Sequence, residues 1–599
     1  MDKQNALSRL RTTTPNNPFL TFCEASPRHV KKWIEGLPKA NVGESARQLY
    51  QALLEINQLQ TSAENRLQML ELLRPEIFFV CNQLEKHFVN LAIVLDERPR
   101  KVANLCQALQ HHLAIGYKLI VTALGSQPTR DEQNLLAAAL QRSIHSLCGP
   151  LIRSSQLYCP VPEGLWLELH LLYQIARAHG LHKTSIRDPQ AHHTQGLSSE
   201  QCYLVALLLG SSRCNQMRQN TIAQLAKILE LWANLVTLNP KDASTCLFAV
   251  NPAQDAPPRY TTQLSPQDMQ DALGIDPSVL AHALNDYLQS KDPSHLHVPT
   301  NFSQDMLQHL TAAWGDIAER TFQRTQSQGN LTLSLGMSAV HYYLAGQRLF
   351  NDVLRQSSQS NAAVFSVQSG DADIWSGAFD AKKGENQEDV LPFEEIQYSR
   401  PDDETQQSAL YQQHTASYPT FEVSIVNISP GGYCLSWGRE VPNQLQAGEL
   451  LGVRSQQQDS WSIAVVRWIR QVRGGGTQMG IELIAPQAQT CGLQLLRNGD
   501  QNSQFMRALL LPEISVISRP STLITPRIPF QEGSKVSINI NGTEHRAVLM
   551  KRISSTGSFN QFEYKLIKEV EESPDYGDTI KVSNSKAGAE DFDSLWKSL

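Results

Sequence analysis

The chain has no run of eighteen consecutive apolar residues, so no membrane-spanning helix is expected. Its first thirty residues, with Thr12 to Thr14 followed by Pro15-Asn16-Asn17-Pro18, lack the basic start and apolar stretch of an export signal, which makes a soluble cytoplasmic protein the expectation. No concentrated tract of Lys or Arg occurs. With a net charge of -6 and a pI near 6.3 the chain does not suit general nucleic-acid binding, which needs clustered positive charge against phosphates. There is no C-x-x-C pair among the ten cysteines, which are scattered from Cys23 to Cys491 within apolar patterns and read as buried free thiols of a reducing compartment. The phosphate-cradling G-x-x-x-x-G-K-[ST], the nucleophile elbow G-x-S-x-G and the zinc motif H-E-x-x-H are all missing, as are paired carboxylates in a recognisable setting, so no enzyme is expected. Gly474-Gly475-Gly476 lies between two strand-like segments rather than before a helix, and reads as a turn. No repeat period near 34 or 40 residues is found.

At 599 residues the chain exceeds one core, and about three to five domains are expected. Residues 1–40, punctuated by Pro and Thr, read as an extended or partly ordered arm. From 41 to 240 the period becomes helical. Asn41-x-x-Glu44, Thr129-x-x-Glu132 and Ser198-x-x-Gln201 are capping patterns, Ser62 caps a run that stops at Pro75, and Gly149-Pro150 ends another helix. The result is an all-α domain, a bundle or a stack of helical hairpins, of no recognised family. Its histidines His170, His179, His182, His192 and His193 lack a carboxylate at ligand spacing and read as structural. Residues 241–302, richer in Pro and Asp, read as a hinge with short helices from Ser265 to Leu273 and from Pro277 to Leu288.

Past a helix at about 303–318 the chain turns to β patterns. Asn330 to Leu335 has a period of two. Phe421 to Trp437 reads as strand, polar turn and strand, with Asn427, Ser429 and the Pro430-Gly431-Gly432 run at the break, where glycine permits close backbone approach. Ile463 to Arg470 and Met479 to Leu483 form a further strand pair. Between the two β blocks, residues 351–417 are polar, acidic and aperiodic, and read as a disordered acidic insertion. A second small antiparallel β domain is expected over 505–570, with Asn541-Gly542 as a hairpin turn, and an acidic tail over 575–599.

Asn427-x-Ser429-x-x-Gly432 resembles the [D/N]-x-S-x-x-G motif of PilZ domains, small β-barrels that bind cyclic di-GMP. The V-V-R-W strand at Val465 to Trp468 and the Gly480-Ile481-Glu482-Leu483 strand fit the same family, and Arg320-x-x-x-Arg324 is similar to the R-x-x-x-R arm that precedes its first barrel strand. No other pair of arginines in the chain has this spacing. The resemblance covers a quarter of the chain or less. It implies a PilZ-like antiparallel β-barrel, with its leading helix and arm, over 303–350 and 418–487. It also implies a cyclic di-GMP site made by Arg320, Arg324, Asn427, Ser429 and Gly432, in which guanidinium forks grip phosphate or guanine and the turn holds the other guanine. The sequence departs from the family in spacing, since Asn427 lies 103 positions after Arg324.

The whole is a multidomain α plus β chain: helical domain, PilZ-like barrel with a long insertion, second small β domain. The resemblance implies a receptor without cofactors whose ligand is cyclic di-GMP; the helical domain is expected to engage a protein partner, and neither nucleic-acid binding nor membrane insertion is expected. The alternative is a degenerate barrel serving as a nucleotide-independent interaction scaffold.

Overall fold

The computed structural model describes residues 3–239, 242–290, 296–300, 302–315, 324–355, 417–438, 441–455, 460–497, 502–513 and 520–567. The first forty residues hold α1 (Lys3–Ser8) and α2 (Pro27–Glu35) rather than an extended arm. The Thr and Asn residues that look like linker are used as tethers. The backbone amides of Asn16 and Asn17 donate to the carbonyl of Gln58 (both 2.8 Å), Thr21 bonds Glu55, and Val30 is fully buried.

The helical domain continues through α3 (Val42–Gln58), α4 (Ala63–Glu85), α5 (Glu97–Leu124), α6 (Glu132–Gln156), α7 (Leu165–Ala178), α8 (Ser199–Ser211) and α9 (Gln219–Trp232). Its starts follow the capping residues: Asn41 accepts from the Glu44 amide, Ser62 from that of Asn65, and Ser198 forms a full capping box with Gln201. Two expected stops are overridden. Pro75 lies within α4 and Pro150 within α6. Leu70, Leu73 and Ile77 on one helix and Leu147 and Leu151 on the other are buried on both sides of the proline, and this packing outweighs the ~3 kcal/mol that an interior proline costs.

A buried ionic cluster locks α4 to α6. Asp188 accepts from Arg74 Nη1 and Nη2 (2.6 and 2.9 Å) and from Gln141 (3.0 Å), and pairs with Arg142 at 3.1 Å. Arg142 also bonds Glu71, which accepts from Tyr117 Oη at 2.6 Å. Burial works against the Asp188 charge, but Arg74, His145 and Arg142 outweigh it and hold its carboxyl well below the ordinary range.

The segment after α9, expected as a hinge, folds into a four-stranded antiparallel sheet of Thr237–Asn239, Phe248–Val250, Arg259–Tyr260 and Leu273–Asp276. Strands of two to four residues are too short to show alternation, but Phe248, Val250, Leu273 and Ile275 extend the helical core. α10 (Pro266–Met269), α11 (Ser278–Ser290) and α12 (Gln304–Gly315) follow. Trp314 and His309 of α12 dock on the end of α8 through Ser211 and Ser212.

Two closed six-stranded antiparallel barrels follow. The first comprises β1 (Asn330–Leu335), β2 (Thr420–Ser429), β3 (Gly432–Trp437), β4 (Leu450–Ser455), β5 (Ser462–Gln471) and β6 (Thr477–Ala485), in the order β1-β2-β3-β6-β5-β4 with β4 returning to β1. The second comprises β7 (Gln489–Leu495), β8 (Met506–Leu511), β9 (Thr522–Pro526), β10 (Lys535–Ile540), β11 (Thr543–Ser555) and β12 (Phe559–Leu566). It starts sixteen residues before the expected 505, because β7 pairs with both β8 and β10 although Gly492 and flanking polar residues hide its pattern. α13 (Gly336–Leu344) holds His341 and Tyr342 and lies between the barrels. There Met337 and Val340 share a core with Leu450 and Ile463 of the first barrel and Leu509 and Phe559 of the second. α14 (Phe350–Val353) packs on β7. The acidic insertion and the tail fall outside the described residues, apart from the ends of the insertion at 351–355 and 417.

One guanidinium touches all three bodies. Arg218, at the start of α9, donates through Nε to the Ala447 carbonyl of the first barrel (3.2 Å), and through Nη2 to Glu449 (3.5 Å) and to Ser558 of the second barrel (2.5 Å). Ser558 Oγ in turn donates to Glu449 at 2.6 Å. No helix among the described residues is long and apolar enough to cross a membrane.

Asp188→Ala should cost about 3–5 kcal/mol, because it takes the paired carboxylate from the buried Arg74 and leaves Arg142 with Glu71 alone. The Asp188 pKa is depressed on folding, so its contribution is complete above the ordinary carboxyl value of about 4 and fades as pH falls below it; urea titrations should show the gap between wild type and variant narrowing in acid. Arg218→Met should leave Glu449 buried without a counter-charge and split calorimetric unfolding into separate barrel and helical transitions. A thermogram unchanged from wild type would show that the joint does not couple the domains.

Candidate functional site

β2 and β3 are joined by the two-residue turn Pro430-Gly431, with Ser429 opposite Gly432. The pairing slips between Cys434 and Leu435, where Val426 is the extra residue of a bulge, and bulges re-aim neighbouring side chains. A second bulge puts Arg467 out of register where β5 passes β6. Both irregularities border one cleft of about 390 Å³.

The cleft wall is drawn from three places. From the barrel come Asn427, Cys434, Trp468, Arg470 and Gln478. Arg324 comes from the arm, whose next two residues pair as Thr325↔Ile428 and Gln326↔Asn427, so the arm runs back along β2. Asn215 and Gln216 come from the helical domain, in the turn of 3-10 helix (Cys214–Gln216) between α8 and α9. Arg470 donates through Nε and Nη2 to Gln478 Oε1 (3.1 and 2.7 Å), and its guanidinium lies 5.4 Å from the Trp468 ring. The Asn427 side-chain amide and the exposed Arg324 guanidinium have no hydrogen-bond partner among the described residues. Burial pushes the Cys434 thiol up, while Arg470 and Arg324 both oppose it, which places the two positive charges around the same floor.

Ser429 and Gly432 are used differently. Ser429 Oγ donates to the Gly432 carbonyl at 3.2 Å and closes the turn. At Gly432 a Cβ would collide with the Ile481 carbonyl oxygen, so glycine lets β3 pass β6. Trp468 lies over Gly480 in the same way, since any Cβ there would meet the indole. Arg320 falls outside the described residues.

Sequence reasoning did not place Trp468 and Gln478 in the cleft, although Trp468 belongs to a recognised strand. Of the neighbouring arginines, Arg467 pairs with Glu482 (2.5 Å) and Arg473 donates to the Val161 carbonyl of the helical domain (3.2 Å). Asn215 and Gln216 carried no signal, being part of another domain. β5 is itself pinned to that domain, with the Gln471 amide donating to the Tyr158 carbonyl (2.8 Å) and its side chain to those of Ile93 (2.7 Å) and Leu157 (3.0 Å).

The histidine set lies elsewhere. His170 bonds Tyr203 Oη and the Ala256 carbonyl, and burial pushes it down to about 4. His179 reaches the Gly125 carbonyl at the end of α7, and the His192 amide donates to Glu230. Among the described residues no group of His, Cys, Asp and Glu is arranged to hold a metal ion.

Two guanidinium groups, an indole face and several amides suit a planar, anionic, hydrogen-bonding ligand.

Three family models match consecutive stretches of the chain. They are the N-terminal domain of cyclic-di-GMP receptor FimW over residues 28–242, its middle PilZ domain over 247–490, and the FimW C-terminal beta-barrel domain over 491–567. The helical region, unassigned by sequence reading, thus has a family of its own, and the supposed hinge falls within the middle match. The cyclic-di-GMP receptor FimW of Pseudomonas aeruginosa is 56% identical over 610 residues, with 100% of both chains covered. No solved structure matches the chain.

Gly432→Ala should lower stability by about 1–3 kcal/mol, the usual cost of overpacking, read as a shifted denaturation midpoint. Loss of ligand binding in that variant would then report on the turn rather than on a missing contact. An unshifted midpoint would return Gly432 to a purely ligand-facing role.

Proposed function

The chain belongs to the FimW family, and from that membership and the geometry above we propose that it is a cyclic di-GMP receptor whose ligand sits between the first barrel and the helical domain. The observation that carries the reading is the convergence of Arg324, Asn427 and Arg470 on one cleft with Asn215 and Gln216 opposite. Arg324 and Arg470 take the phosphates or a guanine edge, Trp468 offers a stacking face, and Asn427 supplies a free amide. Arg320, four positions before Arg324, joins them as the second arginine of the arm.

On this reading the cleft also supplies a route by which binding reaches the rest of the molecule. A ligand held by Arg324 and Arg470 on one side and Asn215 and Gln216 on the other bridges two domains. Its binding energy then favours whichever relative placement of the two satisfies both walls. The 3-10 turn that carries Asn215 and Gln216 leads directly into Arg218, so the ligand acts beside the joint of all three bodies. We assign the protein to the cytoplasm, with its helical domain as the surface that a protein partner reads. No catalytic step is part of this function.

Isothermal titration of the full chain with cyclic di-GMP, with GTP as control, should give saturable binding specific to the cyclic dinucleotide. Arg324→Ala and Arg470→Ala should each weaken it roughly 10- to 100-fold, as expected for hydrogen bonds to charged groups worth about 1.5–3 kcal/mol. The Arg320→Ala and Arg324→Ala double variant should abolish it with the far-UV spectrum unchanged. The Asn215→Ala and Gln216→Ala double variant should weaken it less, and ligand should slow amide exchange around residues 213–221 in wild type only. Absence of binding to the wild-type chain would overturn the reading, and unaltered affinity in the Asn215 and Gln216 variant would confine the site to the barrel.

A further inference from the structure

The helical domain contains a cleft of about 360 Å³ that the nucleotide reading does not use, bounded by α4, α6, α8 and α9. Its floor is apolar, with Cys148, Ile152, Val205 and Ala226 among its residues, and Phe79 stands at the rim, 44% exposed. One end is finished. Glu230 is paired there with His145 and accepts from the His192 amide.

The other end is not finished. Arg153 is only 7% exposed and lines the cleft, yet its satisfaction is partial. Nη2 donates to Gln110 Oε1 at 2.8 Å, the guanidinium lies 5.8 Å from the Phe88 ring, and Nη1 is buried with no partner among the described residues. Glu85, at the same end, is engaged by Gln156 (2.7 Å) and makes no ion pair with Arg153. The other buried cations of this domain differ. Arg74 and Arg142 pair with Asp188, Lys118 pairs with Glu168, and Arg66 is capped by the carbonyls of Ile56 and Leu59. A buried guanidinium without a counter-ion is costly, and a planar fork with a free N–H matches a carboxylate.

We propose that this cleft binds a small monocarboxylate with an apolar body, its carboxylate received by Arg153 and its body laid on the floor between Cys148 and Ala226. The volume lies at the lower end of the range for small-molecule sites, which favours a short ligand over a peptide. The site is independent of the cyclic dinucleotide cleft.

The test uses the full chain without cyclic di-GMP, titrated calorimetrically with octanoate and with octanamide as the uncharged counterpart. Octanoate should bind saturably at one site and at least tenfold more tightly than octanamide. Arg153→Met, which keeps a chain over Phe88, should abolish that preference, and Ala223→Phe, which fills the cleft from α9 with Arg153 intact, should abolish binding of both. Equal affinity for octanoate and octanamide would overturn the role of the carboxylate. Unchanged octanoate binding by Ala223→Phe would place the event elsewhere and overturn the site, even if the Arg153 variant failed to fold.

Discussion

The arrangement of the whole chain depends on one partly buried guanidinium, that of Arg218, where three bodies meet. Gly557 has no side chain at the point where Arg218 passes, and any Cβ there would strike it. Burial lowers the pKa of Arg218 and raises that of Glu449, so burial opposes the charge of each. Their pairing, shared through Ser558, is what makes the position tolerable. A buried charge of this kind adds little net stability compared with an apolar contact, but it accepts only one geometry. The joint is better understood as a specification of how the domains sit than as a source of cohesion.

Cohesion comes from elsewhere. α13 supplies a common apolar core to the two barrels, and the Asp188 cluster fixes α4, α6 and the loop beyond α7 as a rigid unit. The cleft at Arg324 and Arg470 therefore lies between two stiff walls, whose boundary carries apolar contacts together with the hydrogen bonds of Gln471 and Arg473.

Much of this was legible in the residues. The caps at Asn41, Ser62 and Ser198 announce their helices, and the Asn427 to Gly432 turn, the arm and the β5–β6 pair announce the first barrel. What stayed hidden was non-local. Trp468 lines the cleft because a bulge at Arg467 changes which residues of β5 face it, and no periodicity foretells a bulge. Asn215 and Gln216 join it through tertiary packing across more than a hundred residues. Pro75 and Pro150 mislead because local propensity yields to a core buried on every side. The short strands of the 237–276 sheet lack the length for alternation to register. Ser429 and Gly432 are the opposite case: their motif is plain, yet in the folded chain they hold the turn that presents Asn427.

The separation of β1 from β2 in sequence has a consequence in time. These strands pair from Asn330↔Ser424 to Ser334↔Thr420, across a stretch whose closure costs only logarithmically in entropy but requires everything after it to exist. The helical domain is built from neighbours in sequence and can condense as it is made, whereas the barrel needs distant partners. During synthesis there is no closed barrel until β6 ends at Ala485, and Arg218 waits for Ser558 to complete its contacts. A growing chain can thus hold a folded helical domain before the cleft between domains exists, and the joint at Arg218 is the last of these contacts to be completed.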